Sequence, residues 1–304
     1  MDTVKGFKSG FVTLVGRPNA GKSTLVNAIM GRKVAITSGT AQTTRHRLRA
    51  VLTEPGFQMV MVDTPGLHKP HDALGEELNT SALKALEDVD VVALLIDASK
   101  PIGRGDEWVA AQVARARGAK LCVLTKTDIA SPETVAAQAE AARGLGQWDA
   151  MVGLSAVSGR NVDAFVEEVV FFLPEGPMWF PEDMETDQPE SVIVAEFIRE
   201  KILRSFRDEV PHAIGVAVDS MEYVGSAANE LCRIYATIYV ERDSQKGIII
   251  GRKGQALKKV GTEARADLEA LLGCKVWLDL NVKVKKNWRR DATQIRKFGY
   301  GEGL

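Results

Sequence analysis

The chain has 304 residues, 45% of them hydrophobic, with 39 Lys and Arg against 40 Asp and Glu. That length holds about two domains with real cores, and the balanced charge excludes a uniformly basic or acidic polyelectrolyte. The charge is unevenly spread: 14 of the basic and 5 of the acidic residues lie between Lys246 and Lys297, so a basic C-terminal quarter follows an acidic body, as expected if that end meets a polyanion. Cys122, Cys232 and Cys274 are far apart and fit no C-x-x-C metal spacing, so they read as reduced thiols of a cytoplasmic protein. The opening MDTVKGFKSG lacks the apolar core of a leader, and no run of about 18 apolar residues occurs to span a membrane.

In chain order, the apolar run Phe11 to Val15 predicts a strand. It enters Gly16-Arg17-Pro18-Asn19-Ala20-Gly21-Lys22-Ser23-Thr24, which fits G-x-x-x-x-G-K-[ST], and Leu25, Val26, Ala28 and Ile29 continue at helical spacing. Phosphate oxygens need many donors at short range. Glycines let backbone N–H groups turn inward, and the following helix adds its positive end. Lys22 would reach the β- and γ-phosphates and the Ser23 hydroxyl would sit on Mg²⁺.

The polar stretch from Lys33 to Thr44 reads as a loop. Leu48 to Thr53 and Gln58 to Val62 predict a strand pair turned at Pro55-Gly56, and the second strand runs into Asp63-Thr64-Pro65-Gly66. An acidic residue at a strand end opposite a phosphate loop is placed to hold Mg²⁺ through water. The Gly66 N–H can meet a γ-phosphate, a contact made only with the triphosphate. Strands at Asp90 to Asp97, Ala119 to Leu124 and Met151 to Leu154 then alternate with helices at Ala82 to Leu86, Asp106 to Arg117, Pro132 to Gly144 and Val162 to Phe172. Buried strands alternating with helices predict an α/β fold with a doubly wound, mostly parallel sheet, whose ligands sit at the C-terminal strand ends.

Two further strand ends address a base. In Thr125-Lys126-Thr127-Asp128, the Asp128 carboxylate is spaced to accept from N1–H and N2–H₂ of guanine, a donor pair adenine lacks. Lys126 would lie along the base plane, and the Ser155-Ala156 backbone would hold the O6 edge. Together G-R-P-N-A-G-K-S, Q-T-T-R-H, D-T-P-G-L, T-K-T-D and S-A-V-S-G resemble the five motifs of a translation-factor-class GTPase, over residues 10–173. Thr125 stands where most of these relatives have Asn. The resemblance implies that Thr44 ligates Mg²⁺ only with GTP bound. It also implies that Leu67 replaces a water-orienting Gln, and that Asn19 holds K⁺ beside the phosphates in place of an arginine finger. No general base is assigned: His46, His68 and His71 lie on or near the switch loops, and His212 precedes a strand.

Pro174, Pro177, Pro181 and Pro189 forbid a helix and predict a stiff, extended linker. Beyond it, a helix over Val192 to Phe206, strands over Ala213 to Tyr223 and Leu231 to Glu241, an Ile-rich helix, a helix over Leu257 to Leu272 and a strand over Lys275 to Val284 are expected. Gly251-Arg252-Lys253-Gly254 between the two later helices resembles the G-x-x-G loop of a type II KH domain, which clamps about four single-stranded nucleotides. Arg252, Lys253, Lys258 and Lys259 would meet phosphate. In the tail, Lys285, Lys286 and Arg289 are basic candidates, and Trp288 either stacks on a base or packs on the KH body.

A GTPase domain followed by a KH domain, with E-R-D-S-Q-K-G, I-I-G-R-K-G and V-K-V-K-K-N-W-R, resembles the Era family over essentially the whole chain. The expected domains are a GTPase at 1–174, a linker at 175–190, a KH domain at 191–285 and a basic tail at 286–304. The resemblance implies a bacterial GTPase that uses GTP, GDP, Mg²⁺ and K⁺ and acts in small ribosomal subunit assembly. Its partners would be small-subunit ribosomal RNA and the subunit precursor. It also implies a cytoplasmic monomer in peripheral contact with the inner membrane surface. The other function expected from these motifs is an RNA-binding scaffold that holds guanine nucleotide without useful turnover, which Leu67 leaves open.

Overall fold

The computed structural model describes residues 6–40, 43–46, 48–68, 70, 72–206, 210–226, 229–298 and 300. Packing divides the chain into two compact units. The first runs to Asp187 without Ile36–Thr43 and Asp72–Leu74, and these two segments belong with Gln188 onward in the second. His71 and Gln42 of the motifs named above lie outside the described residues, as does the side chain of His212. No helix among the described residues is long and apolar enough to cross a membrane.

The first unit alternates strands and helices: β1 (Lys8–Gly16), α1 (Lys22–Met30), β2 (Leu48–Glu54), β3 (Phe57–Asp63), α2 (Ala73–Lys84), β4 (Val91–Asp97), α3 (Arg104–Val113), β5 (Ala119–Thr125), α4 (Pro132–Arg143), β6 (Ala150–Gly153) and α5 (Val162–Phe172). The sheet order is β2-β3-β1-β4-β5-β6. β2 is antiparallel to β3, and the other pairs are parallel. Each inner strand is apolar on both faces because both are covered. Leu14, Ala93, Leu95 and Val123 meet Leu25, Val26, Phe165 and Val169 on one side. Val15, Val92, Leu94 and Cys122 meet Ala82, Val109 and Ala142 on the other. β1 pairs with β3 on one flank and β4 on the other, so the strand order reverses there and opens a crevice at the strand ends.

Residues 175–187, expected as a stiff, extended linker, form no helix and lie along the first unit. Proline removes N–H donors but leaves carbonyls, and these find partners. The Ser9 N–H donates to the Pro174 carbonyl at 3.0 Å, and the Val51 N–H to that of Glu185 at 2.8 Å. The buried Gln58 amide accepts from the N–H groups of Trp179 (2.7 Å) and Phe180 (3.0 Å) and donates to the Phe180 carbonyl (2.9 Å). Trp179 also packs on Phe11, with ring centroids 5.6 Å apart.

The second unit contains α6 (Glu190–Ser205), α7 (Val210–Ala213), β7 (Gly215–Val224), β8 (Leu231–Val240), α8 (Asp243–Ile250), α9 (Gln255–Leu272), β9 (Lys275–Val284) and α10 (Ala292–Lys297). β8 is central, antiparallel to β7 and parallel to β9. Its inward residues Cys232, Ile234, Ala236, Ile238 and Val240 join Val194, Ile198, Ile202, Val260, Ala264 and Leu268 in one core. Residues 286–300 are not a loose tail. Trp288, Ile295, Phe298 and Tyr300 are buried, and Phe298 packs on Tyr239 of β8 with centroids 4.9 Å apart.

Candidate functional site

The C-terminal ends of β1, β3, β5 and β6 carry the predicted nucleotide motifs on one edge of the first sheet. The loop from Gly16 to Gly21 turns β1 into α1, and Lys22 opens the helix. The Lys22 ammonium reaches back under the loop to the carbonyls of Gly16 (3.4 Å) and Arg17 (3.3 Å). The Ser23 hydroxyl donates to Asp63 Oδ2 at 2.6 Å and lies 2.9 Å from the Thr44 hydroxyl. Residues 21 and 40 positions apart in sequence thus converge on one point. Asp63 is buried, and its Oδ1 has no hydrogen-bond partner. A buried, unpartnered carboxylate oxygen beside two hydroxyls is an all-oxygen donor set suited to a hard cation such as Mg²⁺. Burial raises Asp63 to about 6, against the opposing Lys22 charge and the Ser23 bond; burial lowers Lys22 to about 8, against Asp63.

Gly66 sits against the loop so closely that a Cβ there would lie 2.8 Å from the Pro18 backbone, so only glycine brings this N–H to the phosphate loop. Other members of the motif support the site. The Thr64 hydroxyl donates to the Leu14 carbonyl at 2.8 Å, and Pro65 is buried. Leu67 is corrected from a nucleotide contact to an anchor: its side chain is in the core, and its N–H donates to the Gly16 carbonyl at 3.1 Å. His68 Nδ1 lies 3.0 Å from the Gly66 carbonyl oxygen, and Asn79 donates to the His68 carbonyl at 2.5 Å. Asn19 stands exposed at the loop with a left-handed backbone (φ 66°), and Ala20 is buried beneath it. Arg17 does not point into the loop; it pairs with Asp106 of α3 at 2.9 Å.

At the base end, the Thr125 hydroxyl is bound to the Ala20 carbonyl at 2.7 Å and the Ile96 carbonyl at 3.1 Å. Thr125 therefore ties β5 to the phosphate loop. Lys126, also left-handed (φ 59°), donates to Asp97 at 2.7 Å. Burial pushes the Asp97 carboxyl up, but the Lys126 bond and those from Ser99 outweigh it and hold the carboxyl below its ordinary value. Asp128 is exposed, and Ser155 is buried and accepts from the Ser158 N–H at 3.2 Å. Arg160 donates to the Thr127 carbonyl (3.1 Å) and hydroxyl (2.9 Å), while its own carbonyl accepts from the Ser155 N–H (3.0 Å). It joins the two base loops. Nothing in the local sequence marks Arg160 or Asp106, because their partners lie 33 and 89 residues away.

In the second unit, Gly251, Arg252, Lys253 and Gly254 form the turn from α8 into α9, with Arg252 and Lys253 exposed. Gly251 and Gly254 have φ of 70° and 77°, and Lys253 is held at 51°, an uncommon conformation for a side-chain-bearing residue. Beside the turn, α9 and β9 enclose a groove of about 440 Å³, lined by Leu257, Leu278, Leu280, Lys258, Thr262 and Arg265. Gly261 keeps it open: a Cβ there would already touch Leu280 at 3.5 Å. Sequence reasoning named Lys258 but missed Thr262 and Arg265, which follow it at helical spacing and carry the signal. Lys259 is exposed, does not line the groove, and lies 3.8 Å from Glu263. Trp288 is corrected as a stacking residue: it is fully buried, donates to the Ala213 carbonyl at 3.0 Å, and meets Phe298 edge-on. Arg289 is held by Glu241 at 2.9 Å, and Lys285 by Gln294, whereas Lys286 is exposed.

A family profile described as "50S ribosome-binding GTPase" matches residues 11–126, and one described as "KH domain" matches residues 209–289. Two solved structures are similar over 97% of this chain and 100% of their own, each at 37% identity. One is a variant of Era from Aquifex aeolicus bound to GDP and AlF4⁻, with a TM-score of 0.93. The other is Era in complex with MgGDPNP and nucleotides 1506–1542 of 16S ribosomal RNA, with a TM-score of 0.91. With a phosphate loop, a guanine-type base site and a G-x-x-G turn in one chain, matched along its length by these relatives, the protein belongs to the Era family of GTPases with a C-terminal KH domain.

Proposed function

We propose that this chain is a GTP-hydrolysing switch whose second unit binds the 3′ region of small-subunit ribosomal RNA and acts in assembly of the small ribosomal subunit. The observation that carries the reading is the convergence of Ser23, Thr44 and Asp63, with Asp63 Oδ1 left unpartnered. Lys22 holds the β- and γ-phosphates as a point charge, the Gly66 N–H meets the γ-phosphate, and Asp128 accepts from guanine. Mg²⁺ held by Ser23, Thr44 and Asp63 would neutralise charge on the phosphates. Burial of Lys22 and Asp63 makes these two fixed charges act in a low dielectric. The related complex with MgGDPNP and 16S ribosomal RNA supports the choice of nucleotide and RNA.

Turnover separates this reading from a nucleotide-holding scaffold. GDP should form from GTP faster than nucleotide dissociates, and Lys22→Ala should abolish it; hydrolysis slower than nucleotide release would favour the scaffold. Leu67 is buried and orients no water. The charge that an arginine finger supplies elsewhere is assigned to K⁺ at Asn19, whose left-handed backbone presents it at the exposed loop. Turnover should be faster in K⁺ than in Na⁺, and Asn19→Ala should remove the difference. Equal rates in the two salts would rule K⁺ out.

A further inference from the structure

The sheet of the second unit has two faces, and the helices cover one. On the other, outward residues alternate along the strands: Arg233 and Tyr235 of β8, then Lys275, Trp277, Asp279, Asn281 and Lys283 of β9. The segment after β9 closes one end of this face, where Phe298 packs on Tyr239 and within 3.3 Å of a Cβ built at Gly215. The other end is open. There Tyr235 and Trp277 are 40% and 44% exposed, with ring centroids 5.1 Å apart and planes at 62°. Trp277 has a second position as well: it is on edge strand β9 and borders the groove beside the G-x-x-G turn.

We propose that the Trp277–Tyr235 pair is a base-stacking platform for single-stranded RNA that leaves the groove over the edge of β9. The proposal rests on the RNA-binding reading above and extends it to nucleotides outside the G-x-x-G clamp. The first argument is continuity, since one residue borders the groove and forms the platform. The second is chemistry. Aromatic faces take any base, and a sheet surface carrying them suits unstacked nucleotides, not a duplex. Arg233 lies in register with Trp277, and Lys275 precedes it by two residues on the same face, so both are placed to meet phosphates. Glu222, in register with Arg233, and Asp279, in register with Tyr235, keep the face from being strongly basic. Charge alone would therefore not hold a polyanion here, and the rings are what select a single strand.

The test compares two RNA lengths on the full chain: a ten-nucleotide single strand from the 3′ end of 16S ribosomal RNA, and four-nucleotide pieces of it. Trp277→Ala and Tyr235→Ala should each weaken the ten-nucleotide RNA about tenfold. For Tyr235→Ala, which leaves the groove lining intact, the best four-nucleotide piece should keep its affinity, and Trp277→Phe should restore most of what Trp277→Ala loses. Both side chains are exposed, so the variants should melt as wild type does. Unchanged affinity for the longer RNA would overturn the platform while leaving the RNA reading intact. So would an equal loss at both lengths for Tyr235→Ala, which lies outside the groove lining. Failure of the wild-type chain to bind either RNA would overturn the RNA reading, and the platform with it.

Discussion

Lys22 and Asp63 are both buried at the phosphate loop, and each is easier to neutralise there than in water. A metal needs Asp63 as carboxylate, so metal–nucleotide affinity should fall as pH drops through about 6. Phosphate needs Lys22 as ammonium, so affinity should also fall as pH rises through about 8. Calorimetric titration across this range should find a plateau between the two limbs. Asp63→Asn should lower the plateau and erase the acid limb; persistence of that limb would assign it to another group. Thr125→Val keeps shape but leaves the buried carbonyls of Ala20 and Ile96 without their partner. It should cost about 1–3 kcal/mol in denaturant unfolding and weaken GDP binding. An unchanged midpoint would mean the hydroxyl is not holding the loop.

At the scale of elements, the segment 288–300 is part of the KH body. Trp288→Ala should destabilise the chain by about 3–5 kcal/mol, as loss of a fully buried aromatic does. A stacking residue would behave oppositely, with weaker RNA binding and an unchanged melting temperature. The sequence pattern alone left these alternatives equal, because basic neighbours surround a tryptophan in either case; only Phe298 and Tyr300, ten and twelve residues on, decide it. The docking of the proline-rich segment was not legible for a similar reason. Its composition forbids a helix, but the buried Gln58 that receives it lies over a hundred residues earlier. Where period and spacing are local they read directly: β9 spans Lys275–Val284 and α5 spans Val162–Phe172, as expected. Four of the five nucleotide motifs were legible because each pairs a strand end, of β1, β3, β5 or β6, with a fixed residue type. Arg160 and Asp106 serve geometry that no short motif encodes, whereas Thr262 and Arg265 stand at helical spacing after Lys258.

At the scale of the whole molecule, one chain joins a GTPase site to a KH unit with a groove beside its G-x-x-G turn. Thr44, whose hydroxyl lies 2.9 Å from that of Ser23, directly follows a segment, Ile36–Thr43, that belongs to the second unit. We propose that a rearrangement drawing Thr44 to the phosphates reaches the unit that carries the G-x-x-G turn through this segment; linkage would then require RNA to act back on nucleotide by the same factor. The most direct test titrates the 3′ segment of 16S ribosomal RNA into the full chain, held once in GDP and once in a GTP analogue. The account predicts tighter binding in the GTP form, lost in Gly254→Asp, which sets a strained, negatively charged residue at a left-handed position in the G-x-x-G turn. Equal affinity in the two nucleotide states would contradict the switch.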